Sequence, residues 1–108
     1  MKRGELYRVF KPGGDTKQHR TFVVVSRQTL VDSKFPSLVC AAVMTEGQGL
    51  ATQVAIGIDE GMKRECWIHC DDLRSMQKNI LTQWVGSLSS GKMRKLDYAL
   101  TVALDLPL

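Results

Sequence analysis

Apolar and polar residues alternate through Glu5-Leu6-Tyr7-Arg8-Val9-Phe10 with the period of two expected of a strand that buries one face. Lys11-Pro12-Gly13-Gly14-Asp15-Thr16-Lys17-Gln18-His19 contains Pro-Gly-Gly, which interrupts both regular structures and predicts a basic polar loop. Thr21 to Val25 is dense in β-branched residues and predicts a central strand, after which Ser26 is placed to cap a short helical turn through Val31. Ser37-Leu-Val-Cys-Ala-Ala-Val-Met44 is an apolar run of strand length, ended by Thr45-Glu46-Gly47-Gln48-Gly49. Ala51 to Ile58 alternates again, with Val54, Ile56 and Ile58 opposite Gln53, Ala55 and Gly57. Asp59-Glu60-Gly61-Met62 predicts a turn into Arg64 to Cys70, and Gln83 to Gly86 a last short strand. Ser89 and Ser90 open a helix in which Met93, Leu96, Leu100 and Ala103 form the inward stripe, with Lys92, Arg94, Lys95 and Asp97 outside and Pro107 as its stop. Five or six short strands followed by one helix predict a mainly β fold, a small curled antiparallel sheet with a C-terminal α-helix.

Length and composition narrow the class. The chain has 108 residues, enough for one core and too few for two ordinary domains, so residues 1–108 are expected to form a single domain. Its 44% hydrophobic and 24% charged content is globular and excludes a chain that is mainly disordered or collagenous. No apolar run approaches the roughly 20 residues of a membrane span, and Met1 to Glu5 leads into a strand with no leader-like apolar stretch. The expectation is a cytoplasmic protein that makes no membrane contact. Three cysteines, an odd number, are expected to be reduced.

Charge is uneven. Residues 1–35 hold eight Lys/Arg against three acids (+5), residues 36–72 two against six (−4), and residues 73–108 five against two (+3). A basic first third suits a polyanion, whose phosphates Lys and Arg neutralise with release of counterions, although the same charges also serve solubility. Cys66-x-x-His69-Cys70 has the composition of a zinc site, but on a strand Cys66 and Cys70 share one face and His69 the other, so no metal is expected there. About 13 Å of extended chain between the two thiols also exceeds the roughly 7 Å Cα limit of a disulfide. Arg20, on a strand edge beside His19, can bind a phosphate in a bidentate way or stand as an ordinary surface arginine. Thr45 can hold a phosphate oxygen or merely end a strand, and Asp71-Asp72 can supply a general base or form a turn. Arg74 can contact phosphate or partner those acids.

Lys2-Arg3-Gly4-Glu5-Leu6-Tyr7, Arg20-Thr21-Phe22-Val23-Val24-Val25-Ser26, Cys70-Asp71-Asp72-Leu73-Arg74-Ser75 and Gly86-Ser87-Leu88-Ser89 with Met93, Leu96-Asp97 and Ala99-Leu100 resemble, in order, the MazF/PemK (Kid) toxins of bacterial toxin–antitoxin systems. The resemblance implies an SH3-like small barrel that dimerises and cuts single-stranded RNA at short sequences without the ribosome. It implies attack of a ribose 2′-hydroxyl on the adjacent phosphate, giving 2′,3′-cyclic phosphate and 5′-hydroxyl ends with no metal or cofactor. By position it makes Arg20, Thr45 and Asp71 the catalytic residues, and His19, His69 and Asp71 the candidates for proton transfer. Lys11, Lys17, Gln18, His19, Glu46, Gln48, His69 and Arg74 are the expected RNA contacts. The partner it implies is an antitoxin whose disordered acidic segment occupies the basic groove. Thr21 stands where the family has proline and Asp72 where it has glutamine, and the first loop is shorter. Two other readings share the fold: a gyrase-poisoning toxin related to CcdB, whose Trp-Gly-Ile-like ending is replaced here by Leu106-Pro107-Leu108, and a catalytically inactive nucleic-acid-binding homologue.

Overall fold

A computed structural model describes residues 1–10 and 19–107, so Lys11, Lys17 and Gln18 lie outside the described residues. Among these, six strands form one sheet: β1 (Glu5–Phe10), β2 (His19–Val24), β3 (Ser37–Met44), β4 (Gln53–Ile56), β5 (Cys66–Gln77) and β6 (Gln83–Ser87). Two helices, α1 (Gln28–Val31) and α2 (Ser90–Ala103), accompany it. The order across the sheet is β4-β5-β3-β2-β1-β6, with every pairing antiparallel. No helix among the described residues is long and apolar enough to cross a membrane.

Strand alternation divides the apolar residues between two faces. Leu6 is paired with Val23, Val23 with Ala41 and Ala41 with Leu73, and this face packs against Leu96 and Ala99 of α2. Tyr7, Phe22 and Ala42 lie in register on the other face, covered by Val31 of α1 and by Leu81. Lys78 fastens that cover, its ammonium donating to the carbonyls of Leu30 (3.0 Å) and Ser33 (2.6 Å). The sheet curls at β5. Ala42 is opposite His69 but its neighbour Ala41 is opposite Leu73, so Cys70, Asp71 and Asp72 are extra residues in a wide irregularity. Asp71-Asp72 is therefore no turn; β5 continues to Gln77, well past the predicted end at Cys70.

Other boundaries also move. Ser26 does not cap α1: its hydroxyl accepts from the Val39 amide (2.8 Å), tying the start of the turn to β3, and Arg27 is the uncapped N-terminal residue. The alternation after Ala51 stops at Ile56, because Ile58 enters a 3-10 turn (Ile58–Glu60) and is 79% exposed. In α2, Ser89 accepts from the Lys92 amide (3.2 Å) as expected of an N-cap. The helix ends before Pro107 is reached. Asp105 is left-handed (φ 54°), and the amides of Asp105 and Leu106 return to the carbonyls of Val102 (3.2 Å) and Thr101 (2.9 Å), a Schellman closure. Lys92 is not simply outside, since its ammonium reaches the Ala55 carbonyl on β4.

Candidate active site at the end of the sheet

Antiparallel order brings the end of β1, the start of β2, the end of β3 and the start of β5 to one edge. There Arg20, the second residue of β2, and Thr45, the first residue beyond β3, line one cleft of about 370 Å³ together with His19. Thr21, Val43 and Cys66 form its floor and Met62 also lines it. All three rim side chains are exposed, while Thr21 and Cys66 are buried, so exposed polar groups stand on a buried base. His19 also packs edge-on against Phe10, with ring centroids 5.7 Å apart.

The loop that carries Thr45 is pinned from three sides. His69 Nε2 lies 2.7 Å from the Glu46 carbonyl; because a carbonyl can only accept, Nε2 carries the hydrogen. Gly47 lies against the indole of Trp67, leaving no room for a Cβ. The Gln53 carboxamide accepts from the Gln48 amide (2.8 Å) and donates to the Gln48 side-chain oxygen (3.0 Å). The Gln48 side-chain N–H donors have no partner among the described residues and stay open to a ligand.

The two aspartates separate. Asp71, in the irregular part of β5, accepts from the Thr52 hydroxyl (2.7 Å) beside β4 and is not among the residues lining the Arg20–Thr45 cleft. Asp72 accepts from two donors of Arg74, Nε and Nη2, each at 3.0 Å, and the Arg74 guanidinium lies over the Phe22 ring, 5.6 Å from its centroid. That hydrogen bonding, aided by the charges of Arg74, Arg20 and His69, holds the Asp72 carboxyl below its ordinary range, against a smaller opposing effect of burial. Asp72 thus lies within the field of Arg20. Of the two neighbouring acids, Arg74 partners Asp72. The Asp72-x-Arg74 spacing carried this signal, since residues two apart on a strand share a face. Gln53 and Trp67, which hold the Thr45 loop, had no comparable signal because their partners are distant in sequence.

Cys66 and Cys70 are buried in the core under α2, whereas His69 projects from the opposite face. Cys40, Cys66 and Cys70 are free thiols. Burial pushes Cys40 up to about 12; Cys70 is raised to about 11 by burial and then by the Asp71 charge. Among the described residues, no three His, Cys, Asp or Glu side chains gather as a metal would require.

The fold recurs in solved structures. An endoribonuclease from a mycobacterial species superposes with a TM-score of 0.81 at 23% identity, over 100% of this chain and 94% of that one. The Mycobacterium tuberculosis toxin MazF-mt6 gives 0.83 at 19% identity, over 96% and 99% of the two chains. A MazE–MazF structure from Deinococcus radiodurans gives 0.77 at 15% identity, over 99% and 97%. No protein of curated function matches the chain in sequence. Together these establish the curled half-barrel with its C-terminal helix, and the family's own sequence model extends over residues 2–104. The chain belongs to the PemK-like, MazF-like toxins of type II toxin–antitoxin systems.

Proposed function

We propose that residues 1–108 form one toxin domain that cleaves single-stranded RNA without a metal or other cofactor. The observation that carries this reading is the meeting of Arg20 and Thr45, from different strands, in one open cleft with His19. In the proposed reaction a ribose 2′-oxygen loses its proton to a base and bonds to the adjacent phosphorus. The bond from phosphorus to the 5′-oxygen breaks, and that oxygen takes a proton, leaving a 2′,3′-cyclic phosphate and a 5′-hydroxyl. Charge grows on the non-bridging oxygens, where the Arg20 guanidinium neutralises it and the Thr45 hydroxyl donates a hydrogen bond. His19, on the rim of the same cleft, is the proton-transfer group best placed for this step. His69 holds the Thr45 loop, and Asp71 is engaged by Thr52; each keeps one open atom for a supporting part.

The RNA would lie across the first basic third of the chain, with Lys11, Lys17 and Gln18 as contacts and Glu46 and the Gln48 amide at the neighbouring loop. The protein would work as a homodimer, covering large apolar side chains that this chain leaves exposed, such as Trp84 (60%) and Phe35 (55%). An antitoxin with an acidic disordered segment would silence it by occupying the RNA site. The test is incubation of pure protein with a mixed RNA pool in EDTA and mapping of new 5′-hydroxyl ends. Cleavage should persist in EDTA and vanish in Arg20→Ala, whose circular dichroism should match the parent because Arg20 is exposed. Dependence on a divalent ion, or full activity without the guanidinium, would overturn the reading.

A further inference from the structure

Opposite residues of an antiparallel pair share a face, so the registers of β1, β2, β3 and β5 set Arg8, Thr21, Val43 and Ile68 in one row across the sheet. The row lies on the face whose apolar residues pack against α2. Continued by two residues, the same registers align Phe10, His19, Thr45 and Cys66 in a second row. The Arg20–Thr45 cleft is lined by His19, Thr45 and Cys66 from the second row and by Thr21 and Val43 from the first. Arg8 is the next member of the first row. It stands one strand's width, about 4.8 Å, beyond Thr21 and just outside the lining of the cleft, so it carries the floor onto β1.

Two polar groups of this floor lack partners. Arg8 is half-buried, and its Nε is enclosed with no hydrogen-bond partner among the described residues. It belongs to neither ion pair found there, Arg3–Asp97 or Arg74–Asp72. Thr21 is 6% exposed and shares deep burial with one other polar residue, Glu60. Glu60 accepts from the Gly57 amide (2.7 Å), whereas the Thr21 hydroxyl has no hydrogen bond among the described residues. A buried donor left unmade costs its desolvation, and a ligand that completes the bond recovers that cost. Guanidinium and hydroxyl stand opposite each other across the β1–β2 pair, and neither row contains an acid. The ligand that suits two such donors is an anion.

We propose that Arg8 and Thr21 form a second phosphate subsite, which holds the phosphate next to the scissile one in a bound RNA strand. The subsite rests on the cleavage reading, from which its ligand comes. Arg20 and Thr45 take the scissile phosphate in that reaction, and Arg8 lies beyond the cleft they line, within reach of the neighbouring phosphate. The guanidinium supplies charge and the hydroxyl a hydrogen bond. Together they fix the register of the strand over the cleft without reading its bases.

The test uses the full chain and a decanucleotide RNA spanning a mapped cut site, with a single 2′-deoxyribose there so that it binds uncut. Arg8→Gln should bind about tenfold more weakly, and its slope of log K against log salt should be shallower by about 0.7, the value for one phosphate on a single strand. Thr21→Val, which keeps the shape and removes the hydroxyl, should weaken binding with the slope unchanged. Because a variant can fold poorly, the unaltered chain is also titrated with the same RNA carrying one neutral methylphosphonate at each position in turn. Neutralising a phosphate adjacent to the scissile one should weaken binding to the unaltered chain and add nothing in Arg8→Gln, whereas neutralising the scissile phosphate should weaken both. An unchanged salt slope in Arg8→Gln, or full affinity of the unaltered chain for RNA neutralised at either adjacent phosphate, would overturn the subsite and leave the cleavage reading standing. So would loss of sensitivity to the scissile phosphate in Arg8→Gln. A chain that neither binds nor cuts RNA would overturn both.

Discussion

Replacing Gly47 by alanine tests how the Thr45 loop is held. A Cβ built on Gly47 would stand 2.5 Å from Cδ1 of Trp67 and closer still to Cγ and Cδ2. Ordinary carbon contact begins near 3.5 Å, so the overlap is about 1 Å. Cγ is the atom by which the indole joins its own Cβ, so the ring cannot escape by swinging its tip; Trp67 must turn about χ1 or the loop must lift. Lifting the loop strains the His69–Glu46 bond (2.7 Å) and the two Gln53–Gln48 bonds. Overpacking of this kind costs about 1–3 kcal/mol. For a domain of this size that lowers Tm by about 4–8 °C per kcal/mol. Urea unfolding followed by circular dichroism gives the change in stability, and Trp67→Leu in the same background completes a double-mutant cycle. The cycle should show a coupling of about 1 kcal/mol or more, because the smaller side chain makes room for the new methyl group. A Gly47→Ala protein within about 0.5 kcal/mol of the parent, with additive effects in the cycle, would refute the contact.

Leu96→Ala, which empties a fully buried site between α2 and the sheet, should cost about 2–5 kcal/mol in the same urea assay. Asp72 is held below the ordinary carboxylate range, chiefly by its hydrogen bonds from Arg74, so its stabilising contribution should be complete above about pH 4 and lost as pH falls through the folded value; Asp72→Asn should flatten ΔG against pH in that acid window. Cys40 is raised to about 12 by burial, so the stability of its neutral thiol should be complete below about pH 8.5 and decline as pH rises toward the folded value. A thiol reagent at pH 8 should leave Cys40 unmodified until urea unfolds the chain.

Periodicity alone located the local elements. The alternation in Glu5–Phe10, the apolar run Ser37–Met44 and the stripe on α2 each repeat with the period of the structure they adopt, so strand, strand and helix were legible with their bounds. The order of the short motifs also carried the family, because Arg20 and Thr45 are single residues at the ends of strong strands. What the sequence left undecided depends on partners distant in the chain. Whether Ser26 caps a turn or binds Val39, and whether β5 ends at Cys70 or continues to Gln77, are settled by pairing with β3, which supplies the competing hydrogen bonds. The same pairing divides the two neighbouring aspartates. Three extra residues in β5 send Asp71 to Thr52 and Asp72 to Arg74, within the field of Arg20. A strand's alternation fixes which residues share a face only while its register is unbroken, and a break in register is a property of two strands that neither sequence contains alone.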